Sequence, residues 1–290
     1  MYKFLAIDLD GTLLDSYGQV TEKNKEAIKK AVQNGVEVVL TSGRGPRSVK
    51  NLAEEVGADN YLICGNGAII YDNKKDEIIF NKFISKNKVL QIIKTCEENS
   101  IYYSINTKNS IITKSLNYNV LFYHQENSKK TDDKKTNINI VKDILKYIEE
   151  RQEEDYLKIT ICDDNKIIFD RILNVIKNIK DVDVLDVAHM SRKIIKNGTE
   201  EILMKYFYTE VTNKDVDKWN AIKFLTQRLG IQRTEIATIG DNVNDKTMIE
   251  KAGIGIAMGN SAPYIKEVAD YVVTDNDSSG VAQAIETYIL

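Results

Sequence analysis

Two aspartates, Asp8 and Asp10, close the apolar run Phe4-Leu5-Ala6-Ile7, and Gly11-Thr12 then bends the chain. Residues two apart on a strand point the same way, so if the strand persists to Asp10 both acids face one small volume. Alone, such a pair is most simply a strand end with two solvated acids. Three further segments argue for more: Ser42-Gly43 after an apolar run, Lys218 at the start of a helical stretch, and Asp241 with Asp245 after another apolar run. Four acids in one crevice need a cation, and an all-oxygen set without His or Cys suits Mg²⁺. A hydroxyl, exposed amides and a lysine suit the oxygens of a phosphate. Together they specify phosphoryl transfer.

Each part has a physical task. A carboxylate attacking a phosphate dianion meets like-charge repulsion of roughly 4 kcal/mol per charge pair, at about 4 Å and an effective dielectric of about 20. Uncompensated, that is about three decades in rate. A divalent cation beside Asp8, with Lys218 on the other side, would remove it. Asp8 could then accept the phosphoryl group in line as an aspartyl phosphate. Asp10 is placed to protonate the leaving alcohol and later to take a proton from the hydrolytic water.

Strands must deliver these groups to one rim. Phe4 to Ile7, Val36 to Leu40, Tyr61 to Cys64, Glu235 to Ile239, Ile254 to Met258 and Tyr271 to Thr274 read as short apolar strands. Helical stretches separate them. Thr21 caps one that carries Ala27, Ile28, Ala31 and Val32 and ends at Gly35; others cover Arg47 to Val56, Asp217 to Gly230, Lys246 to Lys251 and about Pro263 to Val268, with a closing helix from Ser278. The alternation predicts an α/β, doubly wound, Rossmann-like parallel sheet. The crevice beyond its strand C-termini is where such sheets bind ligands.

From about Phe83 the pattern changes. Ser85 opens a helix with Val89, Leu90, Ile93 and Cys96, and Ile101, Tyr103 and Ile105 alternate as a half-exposed strand. Gln125 to Asn137, with four lysines, reads as a solvated loop. Leu157 to Cys162, Phe169 to Ile179 and Val182 to Val187 continue the alternation of strand-like and helix-like stretches. The predicted organisation is a discontinuous core, 1–82 and 214–290, with an inserted α+β module over 83–213.

The length of 290 residues suits a core plus a smaller domain, and a net charge of −3 offers no basic surface for nucleic acid or an anionic membrane. Cys64, Cys96 and Cys162 fit no metal spacing and lie on apolar stretches, pointing to a reducing, cytoplasmic setting. No apolar run approaches a signal h-region or a membrane span. His124 and His189 have no acid or cysteine at ligand spacing and are expected as ordinary surface or boundary residues. No feature of the sequence specifies an oligomer.

The four segments resemble the motifs of the haloacid dehalogenase superfamily, in the arrangement of its Cof-type phosphatases (subclass IIB), whose α/β cap lies between the second and third motifs. The first motif is DLDGTLLD from Asp8, the second LTSGR ending at Arg44, and the third the isolated Lys218. The fourth is the long IGDNVNDKTMIEKAGIGIAMGNS, followed by ADYVVTDNDSSGVA. The resemblance implies Asp8 as nucleophile and metal ligand, and Asp10 as acid/base whose backbone carbonyl also meets the metal. It implies Leu9, Ser42, Gly43, Lys218 and Asn244 as phosphate contacts. Asp241 is implied as a direct Mg²⁺ ligand, with Asp245 near the metal or orienting Lys218. Arg44 and Asn66 would contact substrate or seal the core to the cap.

Two positions depart from the pattern. Trp219 stands where the family usually has Gly after the lysine; an indole there either stacks on a substrate ring or packs in the core or against the cap. Gly45 stands between Arg44 and Pro46, a change that would re-aim Arg44. The implied activity is Mg²⁺-dependent hydrolysis of a small phosphorylated metabolite such as a sugar phosphate, a nucleotide-like phosphate or a phosphorylated cofactor. A phosphomutase of the same fold is the alternative within the chemistry. A phosphoacceptor signalling module also uses an Asp, a Ser or Thr, a Lys and Mg²⁺, but needs neither Asp10 nor a large insert. Intact Asp8, Asp10 and Asp241 argue against a silent binding protein.

Overall fold

The computed structural model describes residues 2–128, 131–132, 135–152, 154–185, 191–197 and 200–290. Two compact units emerge: Met1–Asn81 with Val216–Leu290, and Lys82–Asp215. The first begins with β1 (Phe4–Asp8), α1 (Glu22–Gln33), β2 (Glu37–Thr41), α2 (Pro46–Val56) and β3 (Tyr61–Cys64). Thr21 caps α1 by accepting from the Asn24 amide, and the helix buries Ala27, Ile28 and Ala31. Val32, expected on the same face, is exposed, because the inward stripe is completed by Asn24, whose side-chain oxygen accepts from the Ala282 amide. A hairpin that the apolar-run reading missed follows, β4 (Ile69–Asp72) and β5 (Glu77–Asn81), antiparallel to β3 and to each other.

The second unit is α+β. It contains α3 (Lys86–Glu98), β6 (Tyr102–Thr107), β7 (Ser110–Thr113), α4 (Tyr118–Asn127), β8 (Asn137–Ile140), α5 (Ile144–Glu149), β9 (Tyr156–Asp163), α6 (Lys166–Ile176), β10 (Val182–Val184), β11 (Ser191–Asn197) and β12 (Glu200–Asn213). The strand order is β10-β12-β9-β6-β7-β8, with β11 paired to β12. The strand expected to be half exposed is an inner one: β6 lies between β9 and β7, and Ile101, Tyr103 and Ile105 join Val89, Ile93 and Cys96 in the core of this unit. The expected loop from Gln125 to Asn137 is shorter at both ends, since α4 runs to Asn127 and β8 starts at Asn137. Exposed His124 lies in the last turn of α4. His189 and the end of the Val182 to Val187 stretch lie outside the described residues.

The chain then completes the first unit with α7 (Lys218–Arg228), β13 (Ile236–Gly240), α8 (Lys246–Lys251), β14 (Ile254–Ala257), α9 (Pro263–Lys266), β15 (Tyr271–Val272) and α10 (Gly280–Ala284). The sheet order is β15-β14-β13-β1-β2-β3-β4-β5, parallel from β15 to β3. This is the expected doubly wound α/β sheet, to which the unexpected hairpin adds an antiparallel edge. Every side chain of β1 and β13 is buried, as befits the central pair of a sheet covered on both faces. Strand order reverses between these two strands, so the crevice at their C-terminal ends is the topological switch point. No described helix is long and apolar enough to cross a membrane.

Candidate active site

Asp8 ends β1, and Gly240 ends the neighbouring β13, just before Asp241. Between them lies Lys218, wholly buried at the start of α7. Its Nζ donates to Asp8 Oδ1 and, at 2.5 Å, to Asp245 Oδ1. Asp217 caps this helix through the Asn220 amide, which fixes the turn that aims the lysine. Asp245 Oδ2 accepts from the backbone amides of Asp241 and Asn242, both at 3.0 Å, so one carboxylate orients both the lysine and the loop after β13. Carboxylate oxygens of Asp8, Asp241 and Asp245 lie within 4.8 Å of one another.

Thr12, which the sequence suggested only as part of a turn, is a buried member of the site. Its hydroxyl donates to Asp241 Oδ1 at 2.8 Å. Its place directly after the Asp-x-Asp-Gly run was the available signal. Asp8 and Asp241 each keep Oδ2 out of reach of any hydrogen-bond donor among the described residues.

Charge in this enclosure is unbalanced. Burial pushes the Asp8 carboxyl well above the usual carboxylate range; Asp245 adds to the rise and Lys218 opposes it. Burial also raises Asp241 to about 7, reinforced by Asp245 and opposed by the Thr12 hydrogen bond and Lys218. For Lys218 burial acts downward, but Asp245 and Asp8 outweigh it and hold the ammonium charged. Three ionised carboxylates against one ammonium leave two uncompensated negative charges. A divalent cation matches that deficit, and hard oxygen donors match its chemistry.

The strand ends at Asp8, so the expectation that Asp8 and Asp10 share one face fails. Asp8 has a side chain 6% exposed, whereas that of Asp10 is 57% exposed, beyond the turn. Arg44 grips Asp10 with two charge-assisted bonds, Nε to Oδ2 at 2.9 Å and Nη2 to Oδ1 at 2.5 Å. Asp10 thus stands exposed against the Arg44 guanidinium, apart from the cluster around Lys218.

Ser42 follows Thr41, the ladder partner of Asp8, and is buried with its hydroxyl accepting from the Arg44 amide. Half-buried Gly43 links them. Leu9 is wholly buried as a side chain, which leaves its backbone as the part able to meet a ligand. Asn66 adopts the left-handed conformation, φ 57°, donates its amide to the Ser42 carbonyl, and accepts from Asn244 at 3.2 Å. Gly67 next to it must be glycine, because a Cβ would stand 2.3 Å from the Asp217 carbonyl oxygen. The Gly65-Asn66-Gly67 turn therefore ties the Ser42 segment to the start of α7. Trp219 packs in the core with Ile222 and Leu225. Gly45 caps α2 by its backbone alone.

A family model described as haloacid dehalogenase-like hydrolase matches residues 5–285. Phosphatase YwpJ of Bacillus subtilis is 28% identical over 292 residues, covering 98% of this chain and 99% of the relative. The 5-amino-6-(5-phospho-D-ribitylamino)uracil phosphatase YcsE of the same organism is 24% identical, over 99% of this chain and 96% of its own. Among solved structures, a haloacid dehalogenase-like hydrolase from B. subtilis superposes with a TM-score of 0.80 at 27% identity, over 99% of this chain and 100% of that one.

Proposed function

The chain belongs to the haloacid dehalogenase-like hydrolases and is a phosphatase, and from that premise we propose that it hydrolyses small phosphate esters through a phosphorylated Asp8, with Mg²⁺ as its cation. The buried cluster of Asp8, Asp241, Asp245 and Lys218 carries this reading. Asp8 and Asp241, each with an oxygen to spare, would hold the metal with the Asp10 backbone carbonyl, while Asp245 is committed to orienting Lys218 and the loop amides. When bound, Mg²⁺ supplies positive charge that offsets the repulsion between Asp8 and the phosphoryl oxygens.

The protein's own groups do the rest. Asp8 attacks phosphorus, and the P–O bond to the leaving alcohol breaks as its own bond forms. Lys218 draws charge from the phosphoryl oxygens, assisted by the Ser42 hydroxyl, the Gly43 and Leu9 amides and the Asn244 side chain. Asp10 gives a proton to the departing oxygen and takes one from the water that cleaves the phosphoaspartate. Arg44 occupies both carboxylate oxygens of Asp10, so proton transfer to the leaving oxygen requires the pair to open.

Because Asp8 and Lys218 are buried, a slender terminal phosphate suits the site better than a phosphorylated side chain of a folded protein. The name of the ribitylaminouracil phosphatase relative supports a small phosphorylated metabolite of the sugar, nucleotide-like or cofactor kind. Three free, buried cysteines suit action in the cytoplasm.

Phosphate release from a panel of small esters, with and without Mg²⁺, tests the proposal. Wild type is expected to release phosphate only with the metal, and Asp8→Asn to lose at least about three decades of rate. Undiminished release by Asp8→Asn would refute the phosphoaspartate.

A further inference from the structure

Trp219, the residue after the catalytic lysine, has no task in the chemistry above. It sits in the first turn of α7 and lines a cavity of about 320 Å³ with Ile231, Ile236, Lys223, Arg233 and Lys251. Ile236 is the first residue of β13 and Asp241 follows its last. At about 3.3 Å per residue the strand separates cavity and catalytic cluster by roughly 16 Å. Arg233 spends one nitrogen on the Lys251 and Ala252 carbonyls, at 3.0 and 3.4 Å. None of the three cations forms an ion pair with a described residue. In a chain of net charge −3 this is a local concentration of uncompensated positive charge.

We propose that this cavity is an effector site for a small organic anion with a flat apolar body, acting on catalysis through α7. Its volume falls within the range of small-molecule sites. The indole and two isoleucines suit an apolar ring, and the three cations suit a sulfonate, carboxylate or phosphate on it. Trp219 and Lys218 are adjacent on the first turn of one helix, so a ligand seated against the indole bears on the lysine that holds Asp8 and Asp245. The coupling rests on the catalytic reading above, whereas binding at the cavity stands without it.

Trp219 is the sole tryptophan, so its fluorescence, excited where tyrosine does not absorb, reports on the cavity directly. The probe is p-toluenesulfonate, which a phosphatase cannot hydrolyse. The expected result is a saturable change in emission, weakened about tenfold or more in Lys223→Glu and in Lys251→Glu. Turnover of an ester is expected to shift over the same probe concentrations in wild type and not in either variant. No saturable change, an affinity in both variants equal to that of wild type, or binding that leaves turnover untouched overturns the proposal. If the phosphatase reading alone fails, the emission titration persists while every ester remains intact, so the two failures are distinguishable.

Discussion

Raising the pH of the metal-free protein should destabilise it, and divalent metal should reverse the effect. The site charge is the reason. Asp241 titrates near 7 in the folded protein instead of at its ordinary 3.8, because burial and Asp245 disfavour its carboxylate. Between those values the folded state keeps a proton that the unfolded state releases. The stabilisation is therefore complete below pH 3.8 and is lost as pH rises through 7. A shift of about 3 units corresponds to about 4 kcal/mol, on the order of 10 °C in melting temperature for a unit of this size. Asp8, also raised, acts in the same direction. Urea unfolding at pH 5 and pH 8, each with chelator or with excess Mg²⁺, captures the part lost above pH 5, about 2.7 kcal/mol for Asp241 alone. Metal at about 100 times its dissociation constant should return about 2.7 kcal/mol at pH 8. Asp241→Asn should flatten the chelator profile. Equal stability of the chelated wild type at both pH values, or an unchanged profile in Asp241→Asn, would refute the charge argument.

Other substitutions probe the same architecture. Thr12→Val removes the bond that holds Asp241 and should weaken divalent affinity about 10- to 100-fold by calorimetry, with little loss of fold. Lys218→Met leaves Asp8, Asp241 and Asp245 without their cation and should cost about 3–5 kcal/mol in chelator at pH 8, but less at pH 5, where Asp241 holds a proton. Gly255→Ala places a Cβ 1.9 Å from the Ile249 carbonyl oxygen, so the β14 and α8 contact must open, costing about 1–3 kcal/mol of stability or more, read as a lower melting temperature.

Much of this fold is legible in the sequence. Runs such as Ile236–Gly240 and Tyr61–Cys64 are short, apolar and punctuated, so they read as buried parallel strands. The second unit is less legible because its strands pair mostly antiparallel, with partly polar faces: β6 carries Ser104 and Asn106 between its apolar residues, so an inner strand resembles an exposed one. Motif order anticipated that Asp8, Lys218, Asp241 and Asp245 would cluster, but not the environment of each acid. Spacing placed Asp8 and Asp10 side by side, and only the end of β1 sets one beside Lys218 and the other beside Arg44. Thr12 and the Asn66–Asn244 bridge depend on contacts between distant segments, which no local pattern encodes.

The pairing of β1 with β13 also orders biosynthesis. Phe4 lies beside Ile236, so an entirely apolar-packed strand emerges from the ribosome long before one of its two neighbours exists. All ladders of the second unit, by contrast, close within Lys82–Asp215. That unit can condense first and shorten the effective loop that the β1–β13 pairing must close. Until then β1 presents an open edge, the form in which strands associate with other chains. Nascent chains stalled before Ile236 are thus the species most in need of a chaperone.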